Sequence, residues 1–159
     1  MTISSDDFKN ALSLFASGVT IVTSTDGERR HGMTASAFMS VSAAPPLITV
    51  AIDQAHGINP LLDQQDACFA VSLLTAGHEE LSNRFAFEKD EDRFLAGDWQ
   101  TATTGAPVLA DALAWLDCRL AARHPAGSHT LVVGEVVASA VPNPSGAPLL
   151  YWNRGYQRL

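Results

Sequence analysis

The sequence predicts a mainly β protein: an antiparallel sheet closed into a barrel, with a few flanking helices. Three observations carry this expectation. Six or seven β-branched or alternating runs are spread along 159 residues, and only two or three segments show helical spacing. Strands and helices do not follow one another as regular βαβ units, which disfavours a doubly wound parallel sheet. At 47% apolar and 17% charged residues the chain has material for one hydrophobic core. Its length suits a single domain over residues 1–159.

Each element has a local reason. From Ser5 to Ala16, Phe8, Ala11, Leu12 and Phe15 stand at i, i+3, i+4 and i+7, one face of an amphipathic helix. Ser4 or Ser5 caps it, Asp6 and Asp7 complement its positive end, and Gly18 stops it. Val19 to Thr23 is β-branched throughout, and Asp26-Gly27 signals a hairpin turn. The partner strand runs from His31 through Met33 towards Phe38. Pro45-Pro46 ends the connection, and Leu47 to Ile52 reads as a strand buried on both faces.

Asn59-Pro60 starts a short helix through about Gln65, with cap and then first-turn proline. Cys68 to Leu74 is strand-like again. Thr75 caps a helix from Ala76 to about Phe87, in which Glu79 and Glu80 lie near the positive end. Residues 88–106 form an acidic, irregular excursion pinned by Phe94 and Trp99, and Asp90-Glu91-Asp92 reads as a solvated face. Leu113 to Leu120 puts Ala114, Leu116, Cys118 and Leu120 on one strand face. His129 to Ala140 is a long β-branched run whose central Gly134 suits a bulge or bend. Leu149 to Trp152 is a last short strand.

Charge and motifs exclude several functions. Ten basic against 17 acidic residues give a net charge of −7, with only Lys9 and Lys89 as lysines, so nucleic acid is not an expected partner. Two cysteines, Cys68 and Cys118, build no disulfide framework, and no signal peptide is recognised. Both point to the cytoplasm. The 22 residues between Arg30 and Asp53 carry no formal charge, but their serines, threonines and proline pair argue against a membrane span. Neither G-x-G-x-x-G, G-x-x-x-x-G-K-[ST] nor G-x-S-x-G occurs. His124 and His129 have no nearby Cys, Asp or Glu to complete a metal site, so none is expected.

The neutral window is informative. Thr34, Ser36, Ser40 and Ser42 share one parity and Met33, Met39 and Val41 the other, with Phe38 breaking the pattern. A strand with a small polar face lets a planar ligand approach its backbone. Gly32-Met33-Thr34-Ala35-Ser36-Ala37-Phe38, then Ser40-Val41-Ser42 and Pro45-Pro46-Leu47, resembles the flavin reductase family with the FMN-binding split barrel. Collinear segments extend the resemblance over essentially the whole chain. They include Phe15-Ala16-Ser17-Gly18-Val19-Thr20, Ser82-Asn83-Arg84-Phe85, Gly105-Ala106-Pro107-Val108-Leu109, Ala126-Gly127-Ser128-His129-Thr130 and Gly155-Tyr156.

This resemblance implies the small reductase component of a two-component flavin monooxygenase. Such a protein takes hydride from NADH or NADPH to FMN or FAD, works as a homodimer and supplies reduced flavin to a partner monooxygenase. It implies that Met33, Thr34, Ala35 and Ser36, with Ala51, Ile52 and Asp53, hold the isoalloxazine ring, the hydroxyls of Ser40 and Ser42 continuing the polar face. The loop from Gln54 through His56 to Asn59 meets the ribityl phosphate, helped by Arg84 between Asn83 and Phe85. A phosphate suits the cap of the Asn59-Pro60 helix, and a guanidinium adds a bidentate contact. His129 lies beside the nicotinamide as the catalytic residue, and Tyr156 covers the ring. Two departures stand out: Ser128 where an acidic residue is common, and Gln54-Ala55-His56 where a basic residue and a serine are common. A flavin carrier, or an oxidase with its own organic substrate, is the alternative reading.

Overall fold

α1 (Ser5–Ser13) opens the chain, capped by Ser4, whose hydroxyl accepts the Asp7 amide at 3.0 Å. It stops before the expected Ala16 because the chain turns extended to form β1 (Ser17–Gly18), which pairs with a C-terminal strand. β2 (Thr20–Thr25) and β3 (Arg30–Ala35) make the expected hairpin, with Gly27 at φ +92° in its turn. β3 ends at Ala35; Ser36 and Ala37 lead into a separate strand, β4 (Phe38–Ala43), and then β5 (Pro46–Asp53). α2 (Asn59–Leu62) is one turn long, followed by β6 (Cys68–Leu73). A 3-10 turn over Ala76–His78 leads into α3 (Glu79–Phe87). β7 (Trp99–Thr101), β8 (Pro107–Leu109), β9 (Ala114–Ala126), β10 (His129–Ala140), β11 (Leu149–Trp152) and β12 (Gly155–Arg158) complete the chain. The computed structural model describes residues 2–89 and 92–159, so Asp90 and Glu91 of the expected acidic face lie outside the described residues.

Seven strands form one antiparallel sheet in the order β3-β2-β6-β9-β10-β5-β4. Its two edges, β3 and β4, are consecutive in the chain with only Ser36 and Ala37 between them. The Ala51 amide donates to the Ala37 carbonyl at 3.0 Å, holding that connection against β5. β1, β11 and β12 form a smaller sheet, and β7 pairs with β8.

One face of the large sheet buries Val22, Val50, Ile52, Phe69, Val71, Cys118 and Val132. Each such side chain contributes about 1.5–3 kcal/mol on burial. A second cluster, with Ile21, Leu74, Phe85, Phe94 and Leu149, welds the sheet to α3 and the excursion after it. Gly134 sits where the β9–β10 register shifts, and an added Cβ there would strike the Phe69 ring, so a bulge without a side chain fits.

Two further expectations need correction. β5 is not buried on both faces: Ile48, Val50 and Ile52 are buried while Leu47, Thr49 and Ala51 are partly exposed, the alternation of a strand with one open face. Asn59 does not cap α2 with its side chain. Its amide instead donates to the carbonyls of Asp53, Gln54 and His56, at 2.9, 3.2 and 2.9 Å.

Candidate cofactor-binding site

The open face of β5 looks into a groove of about 730 Å3. Phe38, Met39, Ala51, Leu131 and Tyr151 give it apolar walls, and Ser17 and Ser36 hydroxyl edges. Phe8, Leu12 and Phe15 of the first helical segment form the far wall, and Lys9 and Arg154 are the cations on its lining. Ser36 and Ala51, both expected at the ring, meet here. The groove exists because the β3–β4 connection crosses beside β5 while α1 stands off the sheet with no buried residue.

β3 is an edge strand, so half of its backbone groups turn away from β2. The Gly32 carbonyl accepts from the Arg93 guanidinium at 2.7 Å, which places it on the outer side. The two-residue alternation turns the Thr34 backbone the same way. The Thr34 hydroxyl is engaged, donating to the Ser82 carbonyl at 2.6 Å. Beside it the Ser82 and Tyr156 hydroxyls lie 2.7 Å apart, and Tyr156 donates to Asn83 Oδ1 at 3.2 Å. Thr34, Asn83 and Tyr156 thus form one polar cluster beneath α3. Met33 is half-buried against the core, and Ala35 is buried with its carbonyl accepting from Thr20 Oγ1.

A second assembly joins the end of β5 to the β9–β10 hairpin. His129 stands opposite Asp53 in the ladder, the Gln54 amide donates to the Ser128 carbonyl at 3.0 Å, and Gln54 Nε2 donates to the His129 carbonyl at 3.2 Å. The Ser128 hydroxyl and His129 Nδ1 are 3.0 Å apart, leaving Nε2 as the ring nitrogen available to a ligand. Asp53 Oδ1 accepts the Ala55 amide at 2.8 Å, and Arg123 donates to Asn59 Oδ1 at 3.1 Å. The 54–59 loop is therefore braced from both sides. His56 lies in it with its Nδ1 accepting the Ile58 amide at 3.2 Å.

Other expected residues fall elsewhere. Phe85 is fully buried against Phe94 and Trp99, and Ile52 is fully buried in the sheet core, so neither offers side-chain surface. Ser40 and Ser42 sit on β4, where the register shifts between them, and neither lines the groove. Arg84 pairs with Glu88 at 3.1 Å and lines a different cavity, with His78, Ala96 and Asp111. No residue of the 54–59 loop lines that cavity, because the helix turns Arg84 towards its i+4 neighbour.

Sequence reasoning missed His31 and Arg93. The His31 and His56 rings meet edge to face at 5.2 Å. Burial, and then the Arg93 charge, push the His31 pKa below its ordinary value; burial, then His31 and Arg93, do the same to His56. Gly57 packs against His31, and an added Cβ there would lie 2.9 Å from His31 Nε2, so the ring would have to shift. No local signal in the 88–106 segment marks Arg93 as a neighbour of β3. The Cys118 thiol is pushed up to about 12 by burial and by Asp117, which makes it inert. Among the described residues no group of three or more His, Cys, Asp or Glu could hold a metal ion.

An apolar groove of this volume with hydroxyl edges has the size and chemistry to take a flat, cofactor-sized ligand. The particular family follows from residues 12–159, which match the flavin reductase like domain; the chain belongs to that family. It is 43% identical over 152 residues to the reductase component of 4-hydroxyphenylacetate 3-monooxygenase from Thermus thermophilus, spanning 96% of this chain and 95% of that protein. It is 41% identical over 161 residues to the flavin reductase (NADH) of Kitasatospora aureofaciens, over 98% of this chain and 82% of the relative. Among solved structures, the NADH:FAD oxidoreductase SgcE6 of Streptomyces globisporus C-1027, in complex with NAD and FAD fragments, superposes with a TM-score of 0.90 at 31% identity. That match covers 100% of this chain and 96% of the other.

Proposed function

We propose that this chain is an NAD(P)H-dependent flavin reductase on a split β-barrel, acting as a homodimer in the cytoplasm and supplying reduced flavin to a partner monooxygenase. The observation that carries the reading is the family match over nearly the whole chain, coupled to a groove of cofactor size on the open face of β5. The donor set fits a flavin: apolar walls for a ring system, hydroxyl and outward backbone groups for its polar edges, and cations on the same lining. When bound, the flavin supplies the acceptor for hydride from the nicotinamide.

The protein's share of the reaction is positional. Ser36, Ala37 and Ala51 set the depth at which the ring lies, and the outward backbone of β3 meets its polar edge. His129, braced by Gln54 and Ser128, presents Nε2 to the nicotinamide. Tyr156 and Asn83 close the α3 side. No protein nucleophile takes part. The two-residue link between the edge strands β3 and β4 supports the barrel reading. The homodimer accounts for the exposed apolar side chains of the first helical segment, where Phe8, Leu12 and Phe15 are 52%, 56% and 75% exposed, next to Met39 and Val41 at 58% and 49%.

Steady-state consumption of NADH and NADPH with added FMN, FAD and riboflavin tests the reading. Flavin-dependent turnover is expected. Flavin binding without turnover on either nucleotide would make the protein a carrier instead.

A further inference from the structure

β11 and β12 pair with Trp152 opposite Gly155, so Asn153 and Arg154 are the two central residues of a tight hairpin turn. Both have positive φ, +48° and +64°, as in a type I′ turn. That turn favours Asn-Gly. Asparagine tolerates the left-handed backbone, but an arginine there brings its Cβ against the following carbonyl. The chain carries its glycine one position later, at Gly155, and an arginine in the strained place. The turn gains nothing from that order, so its reason lies in what the side chain reaches.

It reaches α1. Arg154 Nη2 donates to Asn10 Oδ1. The same hairpin tip holds the end of that segment twice more: the Asn153 amide donates to the Ser13 carbonyl at 2.7 Å, and Trp152 Nε1 to the Leu14 carbonyl at 3.2 Å. Both carbonyls belong to the end of the helix, where acceptors lack partners within it. α1 buries no residue and has no basic residue in its last turn. The hairpin tip therefore supplies a hold that packing does not, and a cation near the negative end. Bonds at residues 13 and 14 alone would leave a pivot. The Arg154 bond, about one turn further back at Asn10, stops the helix from swinging about it.

That swing would change the groove. Phe8 and Leu12 of α1 form one wall, Thr49 and Ala51 of β5 belong to the other, and Arg154 itself is on the lining. We infer that Arg154 is a positioning residue: through Asn10 it fixes the angle of α1 and so the width of the slot that takes a flat ligand. Backbone strain retained at residue 154 serves that hold. The inference rests on the reading that the groove holds the flavin.

Two substitutions break the contact while favouring the local backbone. Arg154→Gly gives the turn the residue it prefers, and Asn10→Ala puts the best helix former inside a helix. Neither is expected to lower the urea midpoint. Each is expected to weaken the binding of FMN and of FAD about three- to tenfold, the scale of one hydrogen bond. The double variant is expected to lose no more than either single one. Unchanged affinity in either single variant, or losses that add, overturns the proposal. A midpoint that falls together with affinity makes Arg154 merely structural and overturns it as well. Amide hydrogen exchange over residues 5–13 is read on the flavin-free protein and is expected to quicken in both variants; unchanged exchange overturns the proposal whether or not flavin binds. A wild type that binds neither flavin removes the reductase reading, and quickened exchange then still upholds the positioning of α1 by Arg154.

Discussion

At the scale of single residues, His129 carries the sharpest expectation. Its Nδ1 lies beside the Ser128 hydroxyl and its backbone carbonyl accepts from Gln54, so truncation removes the imidazole and keeps the bond that ties the loop. His129→Ala is expected to lower kcat/KM for the nicotinamide nucleotide about five- to thirty-fold, equivalent to about 1–2 kcal/mol, with flavin affinity little changed. Stopped-flow reduction of bound flavin measures this; a wild-type rate with unchanged nucleotide affinity makes His129 structural. His31 and His56 titrate below their ordinary value of 6.5, so the fold prefers them neutral and the unfolded chain binds more protons. Their contribution to stability is therefore complete above about pH 6.5 and lost as pH falls through the folded values. Urea midpoints are expected to drop on acidification below that point, and His31→Asn to flatten the slope. These two histidines show the limit of reading residues locally. Both are visible in the sequence, but their meeting depends on β3 and the 54–59 loop arriving together.

At the scale of elements, pattern was legible wherever a segment's neighbours in space are also its neighbours in the chain. β10 spans His129–Ala140 as its β-branched run predicts, with the irregularity at Gly134. The Thr75 cap also forms, as a reciprocal box with His78. Where long-range pairing decides, the sequence is silent. β9 runs on to Ala126, through residues with no strand preference, because β10 lies alongside, and β12 exists because β11 offers it a ladder. Contact between α3 and β3 is equally hidden. Gly32 leaves room for the Phe85 ring, and an added Cβ would lie 2.6 Å from it. Gly32→Ala is accordingly expected to cost about 1–3 kcal/mol, read as a lower urea midpoint at constant m-value. The exposed apolar side of α1 leads to the opposite kind of outcome. Leu12→Glu is expected to leave the monomer folded and abolish self-association, which sedimentation velocity would report as a single monomeric species. A dimer of undiminished affinity would place the interface elsewhere.

For the whole molecule, the fold class and the strands around the groove were legible because their hydrophobic patterns are local. The division of the neutral window into β3 and β4 was not, because it is set by which partner each half finds: β2 for one, β5 for the other. The strands that carry Ala51, Asp53 and His129 were legible in the sequence, whereas the contact of Arg93 with the Gly32 carbonyl, 61 residues away in the chain, was not. The sheet order has a further consequence, for the time course of folding. β2 and β3 can zip together as soon as they leave the ribosome. β5 instead lies between β4 and β10, and the Thr49 hydroxyl donates to the Val132 carbonyl across 83 residues of chain. The floor of the groove thus stays a half-paired strand, open to mispairing, until most of the protein has been synthesised.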